Sequence, residues 1–512
     1  MNFVLTRKLI IFGLALPLAA VIGFSLATPE DRRTSVLMAA VVALLLTPVM
    51  LKWYHPLLIF GWNAWINVYF LPGKPYLWML LTAIGFGIVV LNSTLEREKA
   101  LIHVPALTIP LLFFLAVVLV TAKLTGGIGV RALGGDQIGG SAIGGKGYFF
   151  IIFAILGYFV LTSQPVPFQR VGTYLSVFFL SGITALCSNV AYMLGPVFYF
   201  LFYLFPVDIA LGQAISESSP IGTIIVRIAG ISFAGAGVYF FMMARYGIRG
   251  IFDLSKPWRL CCFLATILIS LFGGYRSVLI SLIFLFVIQF YFEGLLRSRL
   301  SLVLLLVGIA GAAVAFPFLH KMPLPVQRCM AFIPGVPVSQ AAKMDAEGST
   351  RWRVEMWSVL VPQIPQYLLL GKGYALNPSD LYLAGQAELR GMAKNYEVSI
   401  VAGSYHSGPL SLIIPFGIFG TLGFLWFLGA GLWVLYRNYR YGDPRLQVAN
   451  TFLLAYFLMR ILMFFFIFGA LDSELYKFTG ILGFSVAMNQ GASKRTEIAE
   501  SAEDATLQPA PA

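Results

Sequence analysis

The chain has 512 residues, of which 59% are hydrophobic and only 11% charged, and its mean hydropathy is +0.84. Soluble globular domains carry about 25% charged residues, so the shortfall excludes an ordinary soluble protein and points to a polytopic membrane protein. A formal net charge of +13 does not make nucleic acid a partner, because the Lys and Arg residues fall in short clusters between apolar runs, as membrane orientation requires. Four cysteines (Cys187, Cys261, Cys262 and Cys329) show neither metal-ligand nor disulfide-framework spacing.

Crossing the hydrocarbon of a bilayer takes about 20 apolar residues. Arg7 and Lys8 precede an apolar stretch of 19 residues ending at Ser25-Leu26-Ala27. That exceeds the roughly 7–15 residues of a cleaved signal core, so it reads as the first span, 9–27. Further spans are predicted at 35–51, 56–71, 76–92, 105–122, 147–163, 171–204 and 228–246. They continue at 258–273, 277–295, 301–319, 409–436, 449–468 and 472–489. The 171–204 stretch is long for one helix and several others are short, so the expectation is an all-α membrane protein of about 11 to 14 transmembrane helices.

Four regions follow from this pattern: a transmembrane bundle over 1–319, a loop subdomain over 320–408, further transmembrane helices over 409–489 and a disordered tail over 490–512. Residues 125–145 are glycine-rich and read as a flexible loop. Within the long loop, Ser349-Thr350 reads as a helix cap, Pro362 and Pro365 as its end, and Leu370-Gly371-Lys372-Gly373 as a turn. The basic clusters Arg7/Lys8, Arg245/Arg249/Lys256/Arg259, Arg297/Arg299 and Arg437/Arg440/Arg445 mark the cytoplasmic side. Both termini are then expected inside. The segments 123–146, 205–227, Gly273–Arg276 and 320–408 fall outside.

Sorting the charges by side gathers Arg227, Arg276, Arg351, Arg353 and His406 on the outer face. An arginine in an apolar setting is costly, about 2.5–3.5 kcal/mol at a helix centre and less towards the interface. Its planar fork of donors suits a phosphate bidentately, and two such forks suit a pyrophosphate. The other reading is that Arg227 and Arg276 snorkel to lipid phosphates or pair with a carboxylate such as Glu217. His406 is the one histidine in a strongly polar stretch that ends at a helix entrance. With an ordinary pKa near 6.5 it suits a general base; the alternative is a structural role. His55, His103 and His320 read as interface residues. No second histidine or carboxylate stands at ligand spacing, so no metal is expected, and no glycine-rich nucleotide loop is present in the sequence.

The combination of motifs resembles the O-antigen ligase and polymerase family of bacterial inner-membrane glycosyltransferases, over roughly 220–430. The resemblance rests on Arg227-Ile228-Ala229-Gly230, Gly274-Tyr275-Arg276-Ser277 and the loop pattern Arg353…Trp357…Leu370-Gly371-Lys372-Gly373. Its most specific part is His406-Ser407, nine residues, then Gly417-Ile418-Phe419-Gly420-Thr421, which fits the ligase form. Many relatives carry His-Asn where this chain has His406-Ser407, which makes ligase and polymerase subgroups harder to separate.

The resemblance implies a GT-C-like fold with a periplasmic loop carrying short helices, and an inverting transfer that needs neither metal nor cofactor. The donor would be a glycan on undecaprenyl pyrophosphate, and the acceptor a sugar hydroxyl on lipid A core or another polysaccharide. His406 would deprotonate or orient that hydroxyl. Arg227, Arg276 and one of Arg351 or Arg353 would hold the pyrophosphate. The implied location is the bacterial inner membrane, with the site facing the periplasm. Two other readings stay open, a protein O-oligosaccharyltransferase and a transporter of a small anion or lipid-linked sugar. A transporter would place its charges at mid-membrane, where these spans are nearly uncharged.

Overall fold

The protein is described here by a computed structural model over residues 32–95, 102–126, 145–206, 228–375, 382–386 and 396–494, except residues 70 and 72, with side chains from 48 on. The predicted span 9–27, most of the glycine-rich segment, Arg227 and the tail beyond 494 lie outside the described residues. Among the described residues every regular element is helical, and a lone β-bridge joins Asn67 to Tyr76. A lipid-embedded chain has no water for its backbone, so long apolar runs satisfy every N–H and C=O by forming helices. The chain is an all-α polytopic membrane protein. Seven described helical segments are long and apolar enough to cross a membrane, and three apolar helices of 10–17 residues accompany them.

The first half comprises α1 (Arg32–Asn63), α2 (Leu77–Leu95), α3 (Pro105–Thr125), α4 (Lys146–Leu161), α5 (Val171–Leu180) and α6 (Leu186–Leu194). Then come α7 (Ala229–Ile251), α8 (Pro257–Phe272), α9 (Arg276–Phe292) and α10 (Arg299–Ala315). The long loop carries α11 (Leu324–Met330), α12 (Gln340–Leu360), α13 (Ile364–Tyr367) and α14 (Glu397–Val401). The chain closes with α15 (Gly408–Tyr441), α16 (Gln447–Leu462) and α17 (Leu471–Asn489). Helix α17 sits at the centre, packed on α4, with most of its residues buried; α15 lies on α3 and α7 on α8. By contrast α10 has no buried residue.

Several expectations change. The spans 35–51 and 56–71 are replaced by the single helix α1, with Pro48 and Pro56 inside it. The gap of 52–55 left between those two spans is helical, and Tyr54 and His55 in it are only 3% and 2% exposed. The His55 ring bonds the Leu161 carbonyl at 2.8 Å, so His55 is a buried packing residue rather than an interfacial one. Losing one crossing also shifts the alternation, and the inside assignment of the N-terminus no longer follows from it.

The loop helix α12 starts nine residues before the predicted cap. Ser339 is its N-cap, accepting from the Ala342 amide at 3.3 Å, while Thr350 lies mid-helix and donates back to the Ala346 carbonyl at 3.1 Å. The start of the tail is ordered as well. The Ser493 amide donates to Asn438 Oδ1 at 2.9 Å and Arg437 Nε donates to the Ser493 carbonyl at 2.8 Å.

Candidate active site

The site is built on a break in α15. Gly417 has φ 60° and ψ −160°, which interrupts the helix two residues after Pro415. A broken helix inside apolar surroundings leaves backbone groups that must be paired elsewhere. The turn before α15 supplies the partners. The Lys372 amide donates to the Ile414 carbonyl at 2.7 Å and the Gly373 amide to the Pro415 carbonyl at 2.9 Å, while the Ile418 amide donates to the Leu368 carbonyl at 2.6 Å. Gly371 (φ 77°) approaches so closely that a side chain would meet the Pro415 backbone, and one at Gly417 would meet the Leu368 and Leu369 carbonyl oxygens at 2.7 Å. The two glycine motifs of the sequence are therefore the two halves of one seam. Gly420, one turn further along α15, is buried.

His406 lies two residues before α15, with Ser407 as the helix N-cap. Its φ of 48° is left-handed, a conformation that costs a non-glycine residue about 1–3 kcal/mol and persists only where surroundings hold it. Here the Trp352 ring packs against the imidazole at 5.1 Å and the Phe468 ring at 5.3 Å. Trp357 Nε1 donates to the adjacent Tyr405 carbonyl at 2.9 Å, and Tyr405 packs with Met356, Leu360, Leu410 and Ile414. Burial, and secondly the positive Arg353, push the His406 pKa down to about 4. The imidazole is therefore neutral at neutral pH and can accept a proton.

The Arg353 guanidinium lies 5.5 Å over the same Phe468 ring. Arg276, the first residue of α9, donates to Thr350 Oγ1 at 3.2 Å. Thr350 and Arg353 are three residues apart and share one face of α12, so Arg276, Arg353 and His406 converge. Arg351 is exposed and does not join them. Arg328, which the sequence reading passed over, is 3% exposed, pairs with Asp345 of α12 and donates to the Gly274 carbonyl. It thus ties the turn carrying Arg276 to the helix carrying Arg353.

Beside this group lies a cavity of about 450 Å³, lined by Ala402, Gly403 and Ser404 of the loop, by Phe468 and by the ends of several helices. Ser404 Oγ stands 3.5 Å from His406 Nε2. Four ionisable side chains line the cavity: Arg460 from α16 and Asp472, Glu474 and Lys477 from α17. Glu474 pairs with Arg460 and with Lys477, the latter at 2.8 Å, while Arg460 Nε has no hydrogen-bond partner. A π-helical turn over Met463–Ile467 follows Arg460, and such turns are frequent at functional sites. These residues sit near helix ends, Arg460 in the last turn of α16 and Asp472 and Glu474 in the first turn of α17, and were not among the site residues expected from the sequence. The available signal was the gathering of Arg460, Asp472, Glu474 and Lys477 around the junction of two apolar runs.

No curated protein matches the chain. Residues 260–425 match the family model described as O-antigen ligase, a stretch that runs from α8 through the loop to the break in α15 and contains Arg276, Arg353 and His406. That part of the chain is similar to the O-antigen ligase family.

Proposed function

We propose that the protein is a membrane glycosyltransferase that moves a glycan from undecaprenyl pyrophosphate to a sugar hydroxyl, on lipid A core or on another polysaccharide, at the periplasmic face of the inner membrane. The observation that carries this reading is the meeting of His406 and Arg353 at the Phe468 ring, with Arg276 one turn away along α12. A neutral imidazole and a pair of guanidinium forks are the groups such a transfer needs.

In the step, the acceptor oxygen forms a bond to the anomeric carbon from the face opposite the leaving group. The bond from that carbon to the pyrophosphate oxygen breaks, and undecaprenyl pyrophosphate departs with the electron pair. The acceptor proton passes to His406. Arg276 and Arg353 stabilise the charge growing on the pyrophosphate. The depressed pKa of His406 fits this order of events. In the free protein Arg353 disfavours a second positive charge, and a bound pyrophosphate offsets that field, so the base strengthens when donor is in place. Activation already resides in the pyrophosphate, so neither nucleotide nor metal is required. Arg227 remains part of the proposed pyrophosphate set on the resemblance alone.

The test is to delete the gene and resolve the cell-surface glycans on a gel. Loss of all attached chains identifies a ligase, and attachment of single units a polymerase. Unchanged glycans with an altered glycoprotein pattern would contradict the sugar acceptor and favour a protein one.

A further inference from the structure

The reading above leaves unused the cavity beside His406 and its four ionisable side chains. We propose that this cavity is the acceptor subsite and that it seats a neutral, hydroxyl-rich sugar ring. The inference rests on the transfer reading of His406 and Arg353 and adds the place where the second substrate sits.

Position comes first. Ser404 lines the cavity and its Oγ lies 3.5 Å from His406 Nε2, while Phe468 is shared between the cavity wall, His406 and Arg353. A hydroxyl group delivered from the cavity at Ser404 therefore arrives near the imidazole.

Charge comes second. The cavity holds Arg460 and Lys477 against Asp472 and Glu474, a balanced set, with Glu474 joined to both cations. A balanced set does not select an anion, so the pyrophosphate is left to Arg276 and Arg353. It does offer donors and acceptors together, as a ring of hydroxyls requires.

The walls come third. Trp65 is half-buried and Phe233 exposed, their rings stacked at 5.8 Å with 29° between the planes, whereas Trp78 is 2% exposed and its face is covered by Tyr476 at 5.3 Å. Flat aromatic faces beside charged edges match a sugar, whose rings carry apolar C–H faces and polar rims. A lipid chain fits the rings but not the edges, because it would seal the unpartnered Arg460 Nε against hydrocarbon, and burying a polar group without a partner is costly.

The full-length protein in lipid nanodiscs decides this by tryptophan fluorescence, since Trp62, Trp65 and Trp78 all line the cavity. The probes are a panel of neutral disaccharides and, separately, sugar-free undecaprenyl pyrophosphate. Disaccharide binding is expected to saturate, to weaken about tenfold or more in Asp472→Asn and Trp65→Leu, and to persist in Arg353→Ala. Undecaprenyl pyrophosphate binding is expected to show the reverse pattern. Should Trp65→Leu fail to fold, as judged by thermal unfolding, Lys477→Gln takes its place.

Disaccharide binding that survives both cavity substitutions would overturn the subsite, as would a fluorescence response to undecaprenol alone that vanishes in the cavity variants. Sugar binding that depends on Arg353 would assign the cavity to the donor's own sugar and overturn it too. If undecaprenyl pyrophosphate does not bind while disaccharides do, the transfer reading fails and the sugar site stands.

Discussion

The two regions that meet at Phe468 are built in opposite ways. On the loop side, Arg353 and His406 come from segments held by short-range devices: an aromatic bracket around the imidazole, the Arg328–Asp345 pair under α12, and the seam between Gly371 and Gly417. On the cavity side, Arg460, Glu474 and Lys477 project from two long helices and are fixed by one another within the packed bundle. The first arrangement keeps a strained, neutral base beside a positive charge, a state a ligand can relieve. The second neutralises its charges internally and makes a site that recognises shape and hydroxyls. On the proposed reading, the difference separates where chemistry is placed from where a substrate is held.

Removing the base should break the comparison most severely. His406→Ala is expected to lower glycan transfer by about 10²–10⁴-fold, the usual worth of a general base, with membrane insertion unchanged; transfer assays on isolated membranes check this. Arg353→Ala should follow at about 10²–10³-fold, the range for loss of one oxyanion donor, and Arg276→Ala should likewise abolish most transfer. Arg351→Ala, on the exposed side of the same helix, should stay within a few-fold of wild type. An Arg351 effect as large as that of Arg353 would dissolve the distinction drawn along α12.

The seam can be tested apart from the chemistry. Gly417→Ala puts a Cβ against two carbonyl oxygens at a left-handed residue, and about 1–3 kcal/mol of stability should be lost, read as a lower thermal unfolding midpoint. The pH profile sharpens the loop side further. The folded protein keeps His406 neutral down to about 4, whereas the unfolded chain takes up that proton near 6.5. Protons thus favour the unfolded state, and stability falls as pH drops from about 6.5 towards 4. The acid limb of kcat/KM, which reports the free enzyme, should accordingly lie well below 6.5.

How much of this was legible in the sequence follows the same division. Gly371, Gly417 and His406 could be singled out by their motifs, because broken helices and tight turns demand glycine and a polar loop isolates its ionisable groups, whereas sorting charges by side named Arg276 and Arg353 together with Arg351, which stands apart. Arg328 could not be singled out, since its role depends on Asp345 and Gly274 arriving from elsewhere in the fold. Arg460, Glu474 and Lys477 were masked by the apolar runs around them, and only packing revealed that they face one cavity. The gap of 52–55 between two predicted spans misled for a related reason. The helix passes through it because Tyr54 and His55 find buried partners at Ser163 and Leu161.

The most direct measurement of the central claim is transfer of a labelled glycan from undecaprenyl pyrophosphate to acceptor in membranes carrying wild-type or His406→Ala protein, with donor binding measured in parallel. The account predicts that the variant binds donor as wild type does and transfers essentially nothing. Transfer at the wild-type rate in the His406→Ala membranes would contradict it.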